Sequence, residues 1–386
     1  MKGKLMGLLL GAALMIAPCA VRAEIVPAQL PDAHIARSVM IDGIEVTVDA
    51  DVYGADVDKV QAYQVKKQDL GKTPEAKVDL SAWIGDEEIV RRTEPEENDI
   101  RFETASGAQV QLADYMHSFR GAGCDRLDGA RLGVMMTYTW ADNTSLYPET
   151  PQIAQLSGMS VSEAVQKLAP IMEQLDVTLV DEPFDGIRLG LDELNEATRM
   201  HLEEGVAPNQ TLTEGWTAED EHYCLRLPML YHGLRIMPWQ ENTKKLDFDN
   251  TPDAYAYAWI TRQGVEKLVM DFVPGEEKAV GDAFVPISAE EALDACEREL
   301  KKQEKNWGIG ERAEILNPHI SRMWLGYVMM PDHVDKSRLS TNVFRATPAW
   351  LMSIYYDNSE QKPMGNASWQ KNVAIDARTG ESLLSW

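Results

Sequence analysis

Tyr223-Cys-Leu-Arg-Leu-Pro228, Leu234-Arg-Ile-Met-Pro238, Ala254-Tyr-Ala-Tyr-Ala-Trp-Ile-Thr261, Val265-Glu-Lys-Leu-Val-Met-Asp-Phe272 and Ser288-Ala-Glu-Glu-Ala-Leu-Asp-Ala-Cys-Glu-Arg-Glu-Leu300 follow one another in this chain. The first four are rich in aromatic and aliphatic residues and are separated by His232-Gly233 and Gln263-Gly264, so they read as two hairpins. The fifth opens on a Ser with a Glu three residues on, a pair that can satisfy two unbonded N–H groups of a first helical turn. Ala289, Ala292, Leu293, Cys296 and Leu300 then fall on one face. The same device precedes a second amphipathic helix at Ser160-Val-Ser-Glu163, where Val161, Ala164, Val165, Leu168, Ile171, Met172 and Leu175 recur at helical spacing. Pro170 lies inside that run, removes a backbone donor and predicts a break near Ala169. Two capped helices with extended segments around them predict an α+β fold, built of repeated units of an amphipathic helix packed on antiparallel sheet.

Outward from this stretch, Ile44 to Val52 alternates apolar and polar residues beyond an Asp42-Gly43 turn. Asp99 to Thr104 and Gln109 to Tyr115 flank Ser106-Gly107. Thr73-Pro74-Glu75 reads as the start of a helix reaching Trp83. Arg91 to Asp99 is acidic and contains Pro95, which suggests a solvated loop. Leu132 to Trp140 is a strand candidate, and Val177 to Val180 and Ile187 to Leu191 are strands around Asp185-Gly186. Towards the end, Arg322 to Met330, Ala349 to Tyr356, Lys371 to Ala377 and Glu381 to Trp386 are extended, the last two across Arg378-Thr379-Gly380. The expected divisions are a leader over 1–23, an α+β domain over 24–150, and a region over 151–386 divisible into 151–285 and 286–386.

The leader sets the compartment. Lys2 and Lys4 precede an apolar run from Leu5 to Ala17, and Val21-Arg22-Ala23 suits cleavage after Ala23. A lipoprotein anchored at Cys19 is the alternative, although Pro18 fits a lipidation motif badly. The run is too short and too interrupted to span a bilayer. The mature protein is therefore expected outside the cytoplasm, secreted or associated with the envelope. A net charge of −25 repels phosphate backbones and anionic lipid surfaces, so nucleic acid and direct lipid contact are excluded as partners.

Candidate chemistry is sparse. Of the four cysteines, Cys124, Cys224 and Cys296 survive cleavage, an odd number with neither zinc nor CxxC spacing. Cys296 reads as a buried thiol, and Cys124 with Cys224 is the one disulfide worth testing. The seven histidines form no His-Glu-x-x-His pair. Asp49, Asp51, Asp56 and Asp58 resemble a calcium loop, but Val60 stands where a bidentate Glu is required, and Asp247, Asp249 and Asp253 suit a solvated turn as well as an ion. Ser359-Glu-Gln-Lys362 and Ser368-Trp-Gln-Lys371 match Ser-x-x-Lys, yet both lie in one hairpin-rich tail, where an acyl-enzyme site would draw on partners far along the chain. No catalytic residues, cofactor or metal follow from these patterns. Ten tryptophans are many, and Trp324, Trp350 and Trp369 would make an interaction surface if exposed.

His232-Gly-Leu-Arg-Ile236, Ser288-Ala-Glu-Glu-Ala292, Trp324-Leu-Gly-Tyr-Val328, Pro348-Ala-Trp350 and Val373-Ala-Ile-Asp-Ala-Arg-Thr-Gly-Glu381 occur in an order that resembles the PepSY-like superfamily, within it the secreted or membrane-anchored YycH/YycI-type proteins of Gram-positive bacteria. The likeness covers 160–386 and is sharpest in the last hairpin. It implies helices on antiparallel sheets and a non-enzymatic role in the cell envelope, through contact with another envelope or membrane protein such as a sensor or protease. It supplies no catalytic residues. The alternatives are a secreted peptide- or glycan-binding protein, and a hydrolase of envelope polymers whose acids meet only in space.

Overall fold

The computed structural model describes residues 24–41, 44–127, 153–204, 215–237, 254–301, 315–332, 343–358 and 368–383. The leader with Cys19 and Ala23, the strand candidate at 132–140, Asp247, Asp249, Asp253 and Ser359–Lys362 lie outside them. Strands β1 to β4 are Ile25–Pro27, Ala33–Ile41, Ile44–Tyr53 and Val60–Lys67, and β5 to β8 are Ile89–Glu96, Asp99–Thr104, Gln109–Ala113 and His117–Arg120. Next come β9 Thr178–Asp181, β10 Asp185–Leu189, β11 His222–Tyr231, β12 Leu234–Ile236, β13 Tyr255–Thr261 and β14 Val265–Met270. The last four are β15 Pro274–Phe284, β16 Ile315–Pro331, β17 Val343–Asn358 and β18 Ser368–Asp376. The helices are α1 Ser81–Ile84, α2 Val161–Gln166, α3 Ala169–Leu175, α4 Leu191–Glu204 and α5 Ala289–Lys301.

Two sheets share one strand. The antiparallel sheet runs β10-β11-β13-β14-β8-β7-β6-β5. The mixed sheet is centred on β16 and β17, with β3 and β12 on one side of β16, and β18 and β4 on the far side of β17. β11 belongs to both. Its first residues pair with β10 and β13 as far as Pro228↔Tyr255, and from Met229 onward it pairs with β9 and β12. Proline, which has no N–H to give a ladder, stands at this changeover. Along its β9–β10 flank the register slips between Leu179↔Met229 and Asp185↔Arg226, which leaves Glu182-Pro183 outside the strand pairing, while the Phe184 N–H returns to the Arg226 carbonyl at 3.1 Å.

The expectation of helix-on-sheet repeats does not hold. Among the described residues strand accounts for 52% and helix for 17%, so the sheets form the fold and the helices cover parts of them. Two features of the sequence hid this. Most of Arg91 to Asp99, expected as a loop, falls in the edge strand Ile89–Glu96, nearly every residue of which is exposed, and an edge strand needs no apolar face. Residues 274–284, largely exposed as well, extend β4 through a ladder broken by bulges. Strands from both sides of residue 150 pair in each sheet, β8 with β14 and β4 with β15 and β17.

Several local expectations are met. Both Ser-Glu capping boxes form, with Ser160 Oγ accepting from the Glu163 N–H at 3.2 Å and Ser288 Oγ from the Glu291 N–H at 3.2 Å. The helix containing Pro170 is divided, α2 ending at Gln166 and α3 starting at Ala169. His232 and Gly233 both have positive φ, 49° and 78°, as a two-residue hairpin turn requires. The helix expected to run from Pro74 to Trp83 is instead a short 3-10 turn over Pro74–Ala76 and the single turn of α1.

Candidate functional site

A cleft of about 560 Å³ opens between α1, the start of α3, the Gln263-Gly264 turn and the loop after β8. Each wall has a local cause. Asp79 accepts from the Ser81 N–H at 2.9 Å, a contact that starts α1; the Ser81 hydroxyl first, and this N–H after it, hold the Asp79 carboxyl below its usual range, and Gly85 ends the helix at φ 62°. The Asp79 N–H donates to Gln174 at 2.9 Å and ties this turn to α3. The single turn thereby holds Trp83, only 5% exposed, against the sheet. Opposite, the Gly121 N–H donates to the Glu266 carbonyl at 2.7 Å and draws the loop onto β14.

Glu266 is the anomaly of this cleft. Its Oε2 is buried without a hydrogen-bond partner, and so is the Trp83 indole N–H, among the described residues. Such groups forfeit hydration without replacement, a cost of about 1–3 kcal/mol each. Burial raises the Glu266 pKa, while the nearby Gly123 amide partly opposes the rise. The carboxyl lies so close to its loop that a Cβ on Gly121 would stand 2.5 Å from Oε2, and one on Gly123 3.0 Å. Glu87 lines the same cleft, its pKa lowered chiefly by the Ser106 hydroxyl. Lys167, the lining cation, donates its Nζ to the Arg262 carbonyl at 3.1 Å. Two carboxyls beside aromatic Trp83 and Phe119 suit an organic cation, since an ammonium or guanidinium group can pair with a carboxylate while resting on a ring face.

The residues singled out from the sequence lie elsewhere. Trp324 and Trp350 are each 1% exposed, so neither forms a surface strip. Trp324 stacks on Tyr53 with ring centroids 3.6 Å apart, and the Trp350 indole N–H donates to the Ile287 carbonyl at 2.8 Å. Trp369 is placed in β18 opposite Tyr356. Cys124 and Cys224 lie in one small apolar cluster with Leu189, Trp216 and Trp259, and neither is in a disulfide; Cys296, on α5, is a buried thiol. Asp49 and Asp51 bracket the His34 ring at 2.9 and 3.1 Å and raise its pKa, the Asp51 contact most.

Sequence reasoning passed over Trp83, Glu266 and the two glycines. The signals were Gly121-Ala-Gly123 directly after a strand and a Glu two residues past the Gly264 turn, neither of which names a chemistry without its neighbour. No group of His, Cys, Asp and Glu among the described residues is arranged to hold a metal ion, and no helix among them is long and apolar enough to cross a membrane.

The chain is thus a sheet-dominated protein with a carboxyl-bearing cleft beside its antiparallel sheet. No protein-family model and no curated protein matches it. Among solved structures, an uncharacterized protein from Eubacterium rectale ATCC 33656 is similar, with a TM-score of 0.55 and 13% identity, over 88% of this chain and 91% of that one. At that identity the similarity concerns the fold alone.

Proposed function

We propose that this chain is an exported, non-enzymatic protein of a bacterial cell envelope that works by binding another protein, and that it grips a Lys or Arg side chain of that partner in the Glu266 cleft. The buried Oε2 of Glu266, without a hydrogen-bond partner among the described residues in a cleft that Trp83 also lines, carries this reading, because an incoming cationic group would supply the missing partner of the carboxyl. Export rests on the leader ending at Ala23 and on its match to a cleavage site. A chain of net charge −25 also attracts a basic surface over a range of about 10 Å at ordinary ionic strength. A cleft of about 560 Å³ has room for one long side chain and a short stretch of its backbone.

The test is site-specific photocrosslinking from Ala82, on the cleft wall, in the native host, with mass spectrometry of the captured peptides. Capture centred on Lys or Arg residues of one envelope protein, and lost on Glu266→Gln, is the expected result. Capture of polymer alone, of peptides without basic residues, or of the same peptides by the Gln variant would refute the assignment.

A further inference from the structure

A second and larger cavity, about 980 Å³, lies at the opposite functional extreme. It is bounded by α5, the ends of β15, β16 and β17, and the turn Asp376-Ala-Arg-Thr-Gly-Glu381, and none of its walls belongs to the Glu266 cleft. Arg298, Arg345 and Arg378 all line it, an unusual gathering in so acidic a chain.

The three arginines are not equivalent. The Arg378 guanidinium lies 4.1 Å from the Phe284 ring centroid and donates to the Asp282 carbonyl at 2.8 Å, so it is braced within the wall. Arg298, in the last turn of α5, and Arg345, exposed on β17, form no ion pair among the described residues. The acids of the cavity, Glu299, Asp332, Asp376 and Glu381, also differ, and Glu299 is engaged in an interaction of its own. Asp376 accepts from the N–H groups of Arg378 and Thr379 at 2.8 and 2.9 Å and is consumed in shaping its own turn. Asp332 accepts from Gln64. Glu381, by contrast, is exposed, and its carboxylate has no partner among the described residues. Finally, Thr347 is more than nine-tenths buried on this wall, and its hydroxyl has no hydrogen-bond partner among the described residues. A buried hydroxyl left in that condition costs stability unless something completes it.

These groups constrain the occupant from both sides. Arg298 and Arg345 can only donate, and favour an anion. Glu381 can only accept when ionised, and repels one. A simple polyanion would satisfy the arginines and clash with Glu381, whereas a neutral polyol would leave two guanidinium groups without their match. A molecule carrying one anionic group and several hydroxyls satisfies both, with Thr347 free to donate or accept. We propose that this cavity binds an anionic saccharide, a sugar whose carboxylate or phosphate lies between Arg298 and Arg345 and whose hydroxyls donate to Glu381. The volume is at the upper end of the roughly 300–1,000 Å³ typical of small-molecule sites, enough for more than one sugar ring. This site is independent of the protein-binding cleft, and either assignment can fail without the other.

The experiment is isothermal titration of the mature full-length chain with D-glucuronic acid and D-glucose 6-phosphate, and separately with D-glucose and inorganic phosphate. At least one sugar anion binds saturably, and both glucose and inorganic phosphate bind at least about tenfold more weakly. Arg345→Gln, on an exposed strand position, and Thr347→Val, close in shape to the native residue, each weaken the sugar anion by about tenfold or more. Glu381→Gln weakens the sugar anion and leaves inorganic phosphate unaffected or tighter. Circular dichroism establishes that each variant is folded. Overturning results are saturable binding by neither sugar anion, inorganic phosphate equal to glucose 6-phosphate and glucuronate, or sugar binding that folded Arg345→Gln and Thr347→Val leave unchanged. If glucuronate alone binds, the anion is a carboxylate; if glucose 6-phosphate alone binds, it is a phosphate ester.

Discussion

The Arg235 guanidinium lies 3.7 Å from the centroid of the Trp324 ring, at the seam where β12 joins β16. Arg235 is 1% exposed, and its charge is matched by Glu182 at 2.6 Å, the residue that projects from the slip between β9 and β10. Arg322 approaches the other oxygen of Glu182 at 3.5 Å. The irregularity that releases Glu182 from the ladder therefore supplies the counter-ion that lets a cation stay in the core. Removing one member of such a pair leaves a buried charge uncompensated, so Glu182→Ala is expected to destabilise the protein by about 3 kcal/mol in urea denaturation. Arg322→Ala, at a longer and more exposed contact, is expected to cost about 1 kcal/mol or less.

His117 and His222 give the protein an acid limit. Burial lowers the pKa of each to about 4. A depressed folded-state pKa means that below the ordinary value of 6.5 the unfolded chain takes up protons that the folded chain refuses. Stability from this source is therefore complete above pH 6.5 and falls as the pH drops towards 4. At pH 5 the loss is roughly 2 kcal/mol for each ring. Urea midpoints measured from pH 7.5 to 4.5 check this. The expected curve is flat above pH 6.5 and falls below it, with a shallower fall in His117→Gln or His222→Gln relative to its own pH 7.5 value.

What the sequence made legible was whatever depends on residues near one another in the chain. The capping boxes at Ser160 and Ser288, the break at Pro170 and the His232-Gly233 turn each need three or four adjacent residues, and each is present. Architecture was less legible because it turns on pairings between distant strands, such as His319↔Thr47 and Leu268↔Phe119, which no local periodicity encodes. Edge strands escape for a related reason: with one flank open, Ile89–Glu96 has no need of the alternation by which strands are recognised. Trp324 and Trp350 were noticed by type, but whether an aromatic on a strand faces core or solvent depends on the sheet it joins. The Glu266 cleft needs Trp83, Gly121 and Glu266 together, three positions scattered over nearly half the chain.

Gly121 is expected to matter more for binding than for folding. A methyl group there would meet Glu266 Oε2 at 2.5 Å and the Glu266 Cα at 3.3 Å. The carboxyl end can swing aside, so Gly121→Ala is expected to cost only about 1–2 kcal/mol in a thermal melt. The displaced carboxyl would no longer face the cleft as it does now. Crosslinking of the partner from Ala82 should therefore fall at least about tenfold in Gly121→Ala. Retained crosslinking in this variant would show that the placement of Glu266 is not what the partner reads.

Gly326 presents the opposite case, in which the obstacle is backbone and cannot move away. It pairs with Arg235 across the parallel β12–β16 ladder, and a Cβ at Gly326 would lie 2.5 Å from the Arg235 carbonyl oxygen and 2.9 Å from Leu351 Cδ1. Relief requires separating the two strands, and that separation would carry Arg235 away from the Trp324 ring and from Glu182 together. Gly326→Ala is accordingly expected to cost about 3 kcal/mol or more, above the ordinary range for one added methyl group. Its effect should also be coupled to that of Glu182→Ala. In a double-mutant cycle read by urea denaturation, the pair should cost at least about 1 kcal/mol less than the sum of the single changes, because strands already parted have less of the Arg235 contact left to lose. Strict additivity would place the strain at Gly326 outside the Arg235 seam.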